Sequence, residues 1–435
     1  MKKLTISIVG LGFVGLTLAV VNASKGFSTI GIDIDRKKIS NLQLGKTDFF
    51  EPGLDAKLKQ VLKQDKIEFT SNFNEIINSD ITFLTVGTPS KKDGTINLKF
   101  VNDAINQIIQ VLKTKKTNHL IVIKSTVIPE TTRKQIFPKI KNLKNINLVV
   151  NPEFLRESLA IHDLLNPHVI IIGEENKNSG NELVRYYKKF YKKVPEIIRT
   201  DFSTSEMIKY SNNSFLATKI SFINNIGNLC QKIPNADVKT IAYAIGKDPR
   251  IGPLFLNVGP GFGGSCLPKD ISAILNFSKK IGENGLLFKH VKKINDDQPE
   301  QVIKLLNKFQ KSKRIKVISI LGLAFKRNTD DIRESVSIKI VKKLLKKQIK
   351  IKTHDPMAIE NFKKIFGTTI EYYQSIRECL RGSDCCIILT DWNEYKRLNE
   401  KIFEENMRNV RIIDSRRILN LNKFKKSEII SLGRG

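Results

Sequence analysis

Short apolar runs alternate with stretches of helical periodicity over roughly the first 200 residues. The runs Leu4–Val9, Thr29–Ile34, Ile81–Val86, Leu120–Lys124, Leu148–Asn151 and Val169–Ile172 are strand candidates. Strands separated by helical stretches imply a parallel, doubly wound sheet. From about Thr204 to Asn295 the strand signal nearly vanishes, and Ser205–Ile233 predicts one long helix. Its apolar residues Met207, Phe215, Leu216, Ile220, Ile223 and Ile226 fall at helical spacings. Strand candidates return after Lys316, at Val317–Leu321, Ile349–Thr353, Cys385–Thr390 and Val410–Ile413. The expected fold class is therefore α/β: two doubly wound parallel-sheet domains, 1–200 and 301–435, joined by a central helical domain, 201–300, with a long helix.

Composition adjusts this picture only slightly. At 435 residues the chain is too long for one ordinary core. Hydrophobic residues at 40% and charged residues at 27% suit a water-soluble globular protein. No apolar run approaches the ~20 residues of a membrane span, so no membrane partner is expected. The start, Met1-Lys2-Lys3-Leu4-Thr5-Ile6, enters a strand pattern at once, which argues against a cleaved leader and for a cytoplasmic protein. A formal net charge of +31 raises the question of nucleic acid. The lysines are spread along the chain, however, and runs such as Lys342-Lys343-Leu344-Leu345-Lys346-Lys347 fit solvated faces of amphipathic helices. No nucleic-acid partner is expected, while a modest attraction for phosphate-bearing substrates is compatible with the charge. The five cysteines, Cys230, Cys266, Cys379, Cys385 and Cys386, lack the spacing of a disulfide framework or a zinc site, and no metal is expected. Cys385 and Cys386 lie in an apolar run and fit the core.

Two segments carry candidate chemistry. Ile6-Ser7-Ile8-Val9 leads into Gly10-Leu11-Gly12-Phe13-Val14-Gly15, which opens a helix, and Asp33 ends a second strand. This is the full context of a dinucleotide-binding turn. Gly10 permits the tight turn, Gly12 lets a pyrophosphate reach the backbone, and Gly15 lets helix and sheet pack closely. The helix start then offers free N–H groups to the phosphates. Asp33 accepts hydrogen bonds from ribose hydroxyls and repels a 2′-phosphate, so NAD is the expected cofactor, with Lys38 near the same ribose. Two further strand ends, Val86-Gly87-Thr88-Pro89-Ser90 and Lys124-Ser125-Thr126-Val127, offer hydroxyls suited to a nicotinamide ribose, or are simply loops. The second segment is Asn257-Val258-Gly259-Pro260-Gly261-Phe262-Gly263-Gly264-Ser265-Cys266-Leu267-Pro268-Lys269-Asp270. Its glycines expose backbone able to wrap a ligand. Cys266 is either a nucleophile activated by helix amides and Lys269 or a small buried thiol.

The glycine-cysteine-lysine-aspartate segment resembles the nucleophile motif of the UDP-glucose/GDP-mannose dehydrogenase family. The resemblance covers essentially the whole chain. It includes Gly10 to Gly15, Glu51-Pro52-Gly53-Leu54, Asn151-Pro152-Glu153-Phe154-Leu155-Arg156-Glu157, Lys209-Tyr210-Ser211-Asn212-Asn213, Arg250-Ile251-Gly252 and Gly322-Leu323-Ala324-Phe325-Lys326. It continues through Thr329-Asp330-Asp331-Ile332-Arg333-Glu334-Ser335, His354-Asp355-Pro356 and Asp414-Ser415-Arg416. Ser415 stands where the family usually has glycine, Asn225 where many bacterial members have glutamate, and Pro167-His168-Val169 lacks the usual aspartate-arginine pair.

The resemblance implies Rossmann-like NAD-binding and UDP-sugar-binding domains flanking a helical dimerisation domain, and hence a homodimer. It implies Cys266 as nucleophile, Glu153 in acid/base chemistry, Thr126 near the attacked carbon, and Lys209, Asn213 and Asp270 on the reacting oxygen and the water. Phe13, Val14, Thr88, Pro89, Ser125, Thr126, Glu157, Lys269 and Arg333 fall to the cofactor. Phe154, Leu155, Arg250 (reaching from the partner subunit), Phe255, Gly259, Phe262, Gly263, Lys326 and Arg416 fall to the nucleotide sugar. The implied reaction is a four-electron oxidation of UDP-glucose to UDP-glucuronate, with UDP-N-acetylhexosamine or GDP-mannose as the alternative substrates. A thiolate adduct holds the aldehyde between the two oxidations. Lys209 and Asn213 are i and i+4 and project from one helical face. No histidine lies in the dinucleotide or cysteine segments, which disfavours histidine-dependent hydride transfer.

Overall fold

The computed structural model describes residues 4–310 and 315–435. The chain divides into two compact units, Met1–Asn212 and Asn213–Gly435. The division falls inside a 29-residue helix, Phe202–Cys230, which begins three residues before the sequence pattern placed it. No described helix is long and apolar enough to cross a membrane.

In the first unit eight strands form one sheet: β1 Thr5–Val9, β2 Ser28–Ile32, β3 Ile67–Thr70, β4 Ile81–Leu84, β5 His119–Ile123, β6 Ile146–Val150, β7 Ile170–Glu174 and β8 Ile197–Thr200. Their spatial order is β3-β2-β1-β4-β5-β6-β7-β8, with the reversal of direction between β1 and β4 that marks a doubly wound sheet. Neighbours run parallel except β6 and β7, which pair antiparallel, a departure from the all-parallel expectation. The connection between them contains a single six-residue helix, Ala160–Leu165. At about 9 Å it is shorter than the ~17 Å strand length that a return to the amino end of the sheet must cover.

Both faces of the sheet are buried, and strand geometry sends successive side chains to opposite sides. On β5, Leu120 and Val122 join Ile6, Ile8, Phe83 and Tyr186 in one cluster. Ile121 and Ile123 join Ile105, Ile108 and Leu84 in the other. The helix α1 (Phe13–Ser24) lies against the first of these faces, with Leu16, Ala19 and Val20 fully buried.

In the second unit six strands repeat the plan: β9 Val317–Leu321, β10 Lys350–His354, β11 Glu371–Tyr373, β12 Cys385–Ile388, β13 Arg411–Asp414 and β14 Glu428–Ser431, ordered β11-β10-β9-β12-β13-β14 and all parallel. Cys379, Cys385 and Cys386 are buried in its core. That core runs without a break from Ile223, Val238, Leu256 and Val258 into the sheet.

The two sheets start alike. Ser7-Ile8-Val9-Gly10-Leu11-Gly12-Phe13 parallels Ser319-Ile320-Leu321-Gly322-Leu323-Ala324-Phe325. Gly10 and Gly322 hold φ of +95° and +104°, and each amide donates to the end of the neighbouring strand, at Ile32 and His354. Close packing follows at Gly15, where an added Cβ would sit 1.9 Å from the Gly10 carbonyl oxygen. Because backbone is the obstacle, Gly15→Ala is expected to lower the unfolding free energy by about 1–3 kcal/mol. Urea denaturation compared with wild type measures this.

Candidate active site

In a doubly wound sheet, ligands meet the carboxyl ends of the parallel strands. There β1 gives way to Gly10–Gly15, β4 to Val86–Ser90, β5 to Lys124–Thr126 and β6 to Asn151–Glu153. Asp33 follows β2; its Oδ2 accepts from the Leu11 amide at 2.8 Å and its Oδ1 from the Asp35 amide at 3.0 Å. Lys38 Nζ lies 3.2 Å from the same carboxylate. Asp33 thus fixes the glycine turn. Ser125 Oγ donates to the Val86 carbonyl at 2.7 Å, tying together the two strand ends expected at the nicotinamide ribose. Thr88 is buried and Thr126 half-buried beside them.

Gly12 differs from Gly10 and Gly15. A Cβ on Gly12 would meet nothing within 4 Å, and the same holds for Gly87. Protein packing therefore does not require glycine at either position. The space lies at the amino end of α1, where free N–H groups and the helix dipole favour a pyrophosphate. The residues present fit a dinucleotide.

Beyond β6 lies a buried cluster of charge. Glu153 and Lys209 are both buried, with Lys209 Nζ 2.9 Å from Glu153 Oε1 and 2.5 Å from the Glu153 carbonyl oxygen. The Leu155 amide donates to Glu153 Oε2 at 2.6 Å. Burial alone would raise the carboxyl pKa, but the charge and hydrogen bond of Lys209, the Leu155 amide and the charge of Lys124 together hold it below the usual range. Lys209 also lies over the Phe154 ring, which packs on His168. Glu51 accepts from the Ser158 and Ala160 amides and so anchors the segment that carries Leu155 and Glu157. Lys124, Asn151, Tyr187 and Glu51 all support this cluster, and the sequence reading assigned none of them a role. Their signal is position, since Glu51, Lys124 and Asn151 open the segments Glu51–Leu54, Lys124–Val127 and Asn151–Glu157.

In the second unit the cysteine segment ends at the amino terminus of a helix, α2 (Leu267–Lys280), with Cys266 at its N-cap. Cys266 is exposed, whereas Cys230, Cys379, Cys385 and Cys386 are buried. Burial pushes the Cys379 thiol up to about 12 and the Cys385 and Cys386 thiols well above the ordinary value, which makes them inert. One turn into α2, Asp270 is buried; its Oδ2 accepts from Asn213 Nδ2 at 2.6 Å and its Oδ1 from Lys269 Nζ. Four predicted residues, Cys266, Lys269, Asp270 and Asn213, thus meet in this unit.

The glycine segment is pinned on several sides. Asn224 Oδ1 accepts from the Gly259 amide, Gln298 donates to the Gly259 carbonyl, and Asn295 exchanges two hydrogen bonds with Phe262. The Gly264 amide donates to the Arg333 carbonyl at 2.8 Å. A Cβ on Gly263 would lie 2.4 Å from the Glu334 carbonyl oxygen, and Gly264 holds φ of +83° against the Phe325 ring. These asparagine and glutamine partners escape sequence reasoning, because polar side chains on a helix give no sign of the loop that they hold. Arg416 is half-buried, with Nε donating to the Leu389 carbonyl and its guanidinium against Gly259. Lys326 lies over the Phe325 ring, and Phe255 holds φ of +65°. Arg333 and Arg250 are exposed and paired with Asp331 and Asp248, respectively.

Two doubly wound sheets, the first with an open glycine cradle and a carboxylate after β2, define an NAD-dependent dehydrogenase. Models of the UDP-glucose/GDP-mannose dehydrogenase family match in order: the NAD binding domain over residues 4–191, the central domain over 203–297 and the UDP binding domain over 319–421. The chain belongs to this family. It is 40% identical over 435 residues to a UDP-glucose 6-dehydrogenase of Rickettsia bellii, covering 99% of this chain and 98% of that one. It is 37% identical to UDP-glucose 6-dehydrogenase AglM of Haloferax volcanii, covering 95% and 97%. Among solved structures it resembles a UDP-glucose dehydrogenase of Pyrobaculum islandicum, with a TM-score of 0.92 and 31% identity over 100% of this chain and 98% of that one. It also resembles the UDP-N-acetyl-mannosamine dehydrogenase Cap5O of Staphylococcus aureus, with a TM-score of 0.83 and 26% identity over 99% and 98%.

The contrast between the glycines gives a test of the cradle. Gly12→Ala is expected to leave the melting temperature unchanged, because no protein atom stands in the way. It should weaken NAD at least tenfold by calorimetric titration, since the methyl occupies space reserved for the pyrophosphate.

Proposed function

We infer that the protein oxidises UDP-glucose to UDP-glucuronate with NAD, holding the intermediate on Cys266. The observation that carries this reading is the exposure of Cys266 alone among five thiols, at a helix N-cap with Asp270 one turn away. NAD supplies the hydride acceptor, one molecule for each two-electron oxidation. Glu153, or a water held by Asp270, takes the proton of the C6 alcohol as the aldehyde forms. The Cys266 thiolate, favoured by the α2 amides and Lys269, adds to the aldehyde carbon. Lys209 steadies the resulting oxyanion. The second two-electron oxidation turns this thiohemiacetal into a thioester. Water oriented by Asp270 and Asn213 adds to the thioester carbon, the C–S bond breaks, the thiolate returns and the carboxylate leaves.

The remaining assignments follow the same reading. Residues 1–200 bind NAD through Gly10, Gly12, Phe13, Val14, Gly15, Asp33, Lys38, Thr88, Pro89, Ser125, Thr126 and Glu157, with Lys269 and Arg333 contributing from later in the chain. Residues 201–300 form the dimerisation domain and 301–435 the nucleotide-sugar domain. Phe154, Leu155, Arg250, Phe255, Gly259, Phe262, Gly263, Lys326 and Arg416 hold the nucleotide sugar. Free thiols throughout support a reducing, cytoplasmic setting. The helix Phe202–Cys230 presents Phe215, 66% exposed, Phe222 and Leu229 at seven-residue intervals, and Ile233 lies just beyond. Such a stripe at heptad spacing supports homodimerisation through this helix.

Two NADH per UDP-glucose are expected when purified protein is given NAD and a panel of UDP-glucose, UDP-N-acetylhexosamines and GDP-mannose. Preference for another sugar would move the protein to a sister substrate, and no turnover with any would refute the catalytic reading. Cys266→Ser should lose turnover while still binding UDP-glucose, and full wild-type rates would rule out the covalent role. For assembly, Phe222→Glu should turn a dimer into monomers in analytical ultracentrifugation; an unchanged mass would contradict the helix-mediated contact.

A further inference from the structure

Lys124 is a buried ammonium that the catalytic reading leaves unused. It ends β5 and is 5% exposed. Its Nζ donates to Asn151 Oδ1 at 2.9 Å and weakly to the Asn151 carbonyl oxygen at 3.4 Å. Asn151 is itself held rigidly: its amide donates to Ile123, its Nδ2 donates to the Ile171 carbonyl at 2.8 Å, and its Oδ1 accepts from Tyr187 at 2.5 Å. Two residues later the same segment carries Glu153. The charged groups that bear on Lys124 are Glu153, which stabilises its charge, and Lys209, which opposes it; Tyr187 is the nearby titratable neutral group.

Burying an ammonium without a carboxylate in direct contact costs stability. An apolar side chain at this place would avoid that cost, so packing alone does not call for a lysine. We propose that Lys124 is a positioning residue: together with Asn151 and Tyr187 it fixes the Asn151–Leu155 segment and so holds the Glu153 carboxylate in place, and its charge acts on that carboxylate in addition to the stronger one of Lys209. Burial also pushes Lys124 itself down to about 8, so it stays protonated through neutral pH and sheds its proton under mildly alkaline conditions. The inference rests on the reading of Glu153 as the group that takes the substrate proton.

The signs follow from the charges. Removing a cation beside Glu153 raises its pKa, so activity is lost at higher pH on the acid side. For stability, the folded state releases the Lys124 proton near pH 8 and the unfolded state near the ordinary lysine value of 10.5. The cost of the buried charge is therefore complete below pH 8 and is relieved as pH rises towards 10.5.

The test compares pH profiles of kcat/KM for the intact enzyme with NAD and UDP-glucose. In Lys124→Met the acid limb should move up by about one pH unit, a roughly tenfold loss of kcat/KM at its foot. In Lys124→Arg, which keeps the charge, the limb should stay in place. The melting temperature of Lys124→Met should exceed that of wild type at pH 7, with the gap closing towards pH 10. A Lys124→Met limb at the wild-type position, or a variant too unstable to assay, would overturn the proposal, the latter by making Lys124 a scaffold. Glu153→Gln separates the two readings. Flat or undetectable activity over the acid range supports the Glu153 role, whereas a wild-type acid limb in that variant refutes it independently of Lys124.

Discussion

Ionic groups leave water only at considerable cost, yet the first unit buries two ammonium groups and a carboxylate at the carboxyl ends of β5 and β6. Glu153 accepts from Lys209 and from a backbone amide, while Lys124 is carried on Asn151. Such an arrangement persists only when every partner is held in place, since taking either member from the Glu153–Lys209 pair strands the other. The doubly wound sheet provides that rigidity, because its central strands are buried on both faces and β1 to β6 end along one edge. In the proposed reaction Glu153, the group that takes the proton, works inside this buried cluster.

The second unit solves a different problem. A nucleophilic thiol must be exposed and its surroundings must stay still. Four cysteines fail the first condition, being sealed in the core, where burial drives their thiols up. Cys266 sits at the end of a loop whose backbone is gripped by Asn224, Asn295 and Gln298. Glycine is needed at 263 and 264 because the neighbouring backbone and the Phe325 ring leave no room for a side chain. The loop is thus flexible in composition but fixed in the fold.

Much of this was legible in the sequence, and the gaps have physical causes. Ten strands were anticipated within a few residues, and the four missed, β3, β8, β11 and β14, are the edges of the two sheets. Edge strands have one solvated flank and lose the continuous apolar run that marks a buried parallel strand; Glu371-Tyr372-Tyr373 is half-buried throughout. The dinucleotide turn was readable because glycine spacing records backbone geometry. The kinship of the two sheet starts was also written in the chain, but over only seven residues. Its meaning needed the structure: Ala324 replaces the open Gly12, and the Asp355 carboxylate is consumed by the Leu323, Ala324, Met357 and Ala358 amides and the Trp392 indole. The second turn is therefore closed where the first is open. Lys124 gives no signal in the sequence, because sequence cannot show that a lysine is buried.

The covalent role of Cys266 is the claim on which the functional account stands. Rapid quenching during turnover of UDP-glucose with NAD, followed by intact-protein and peptide mass spectrometry, addresses it directly. The account predicts a transient mass increase equal to the oxidised sugar nucleotide, confined to the peptide bearing Cys266 and abolished in Cys266→Ser. Turnover at the full rate with no adduct on that peptide at any quench time would contradict it.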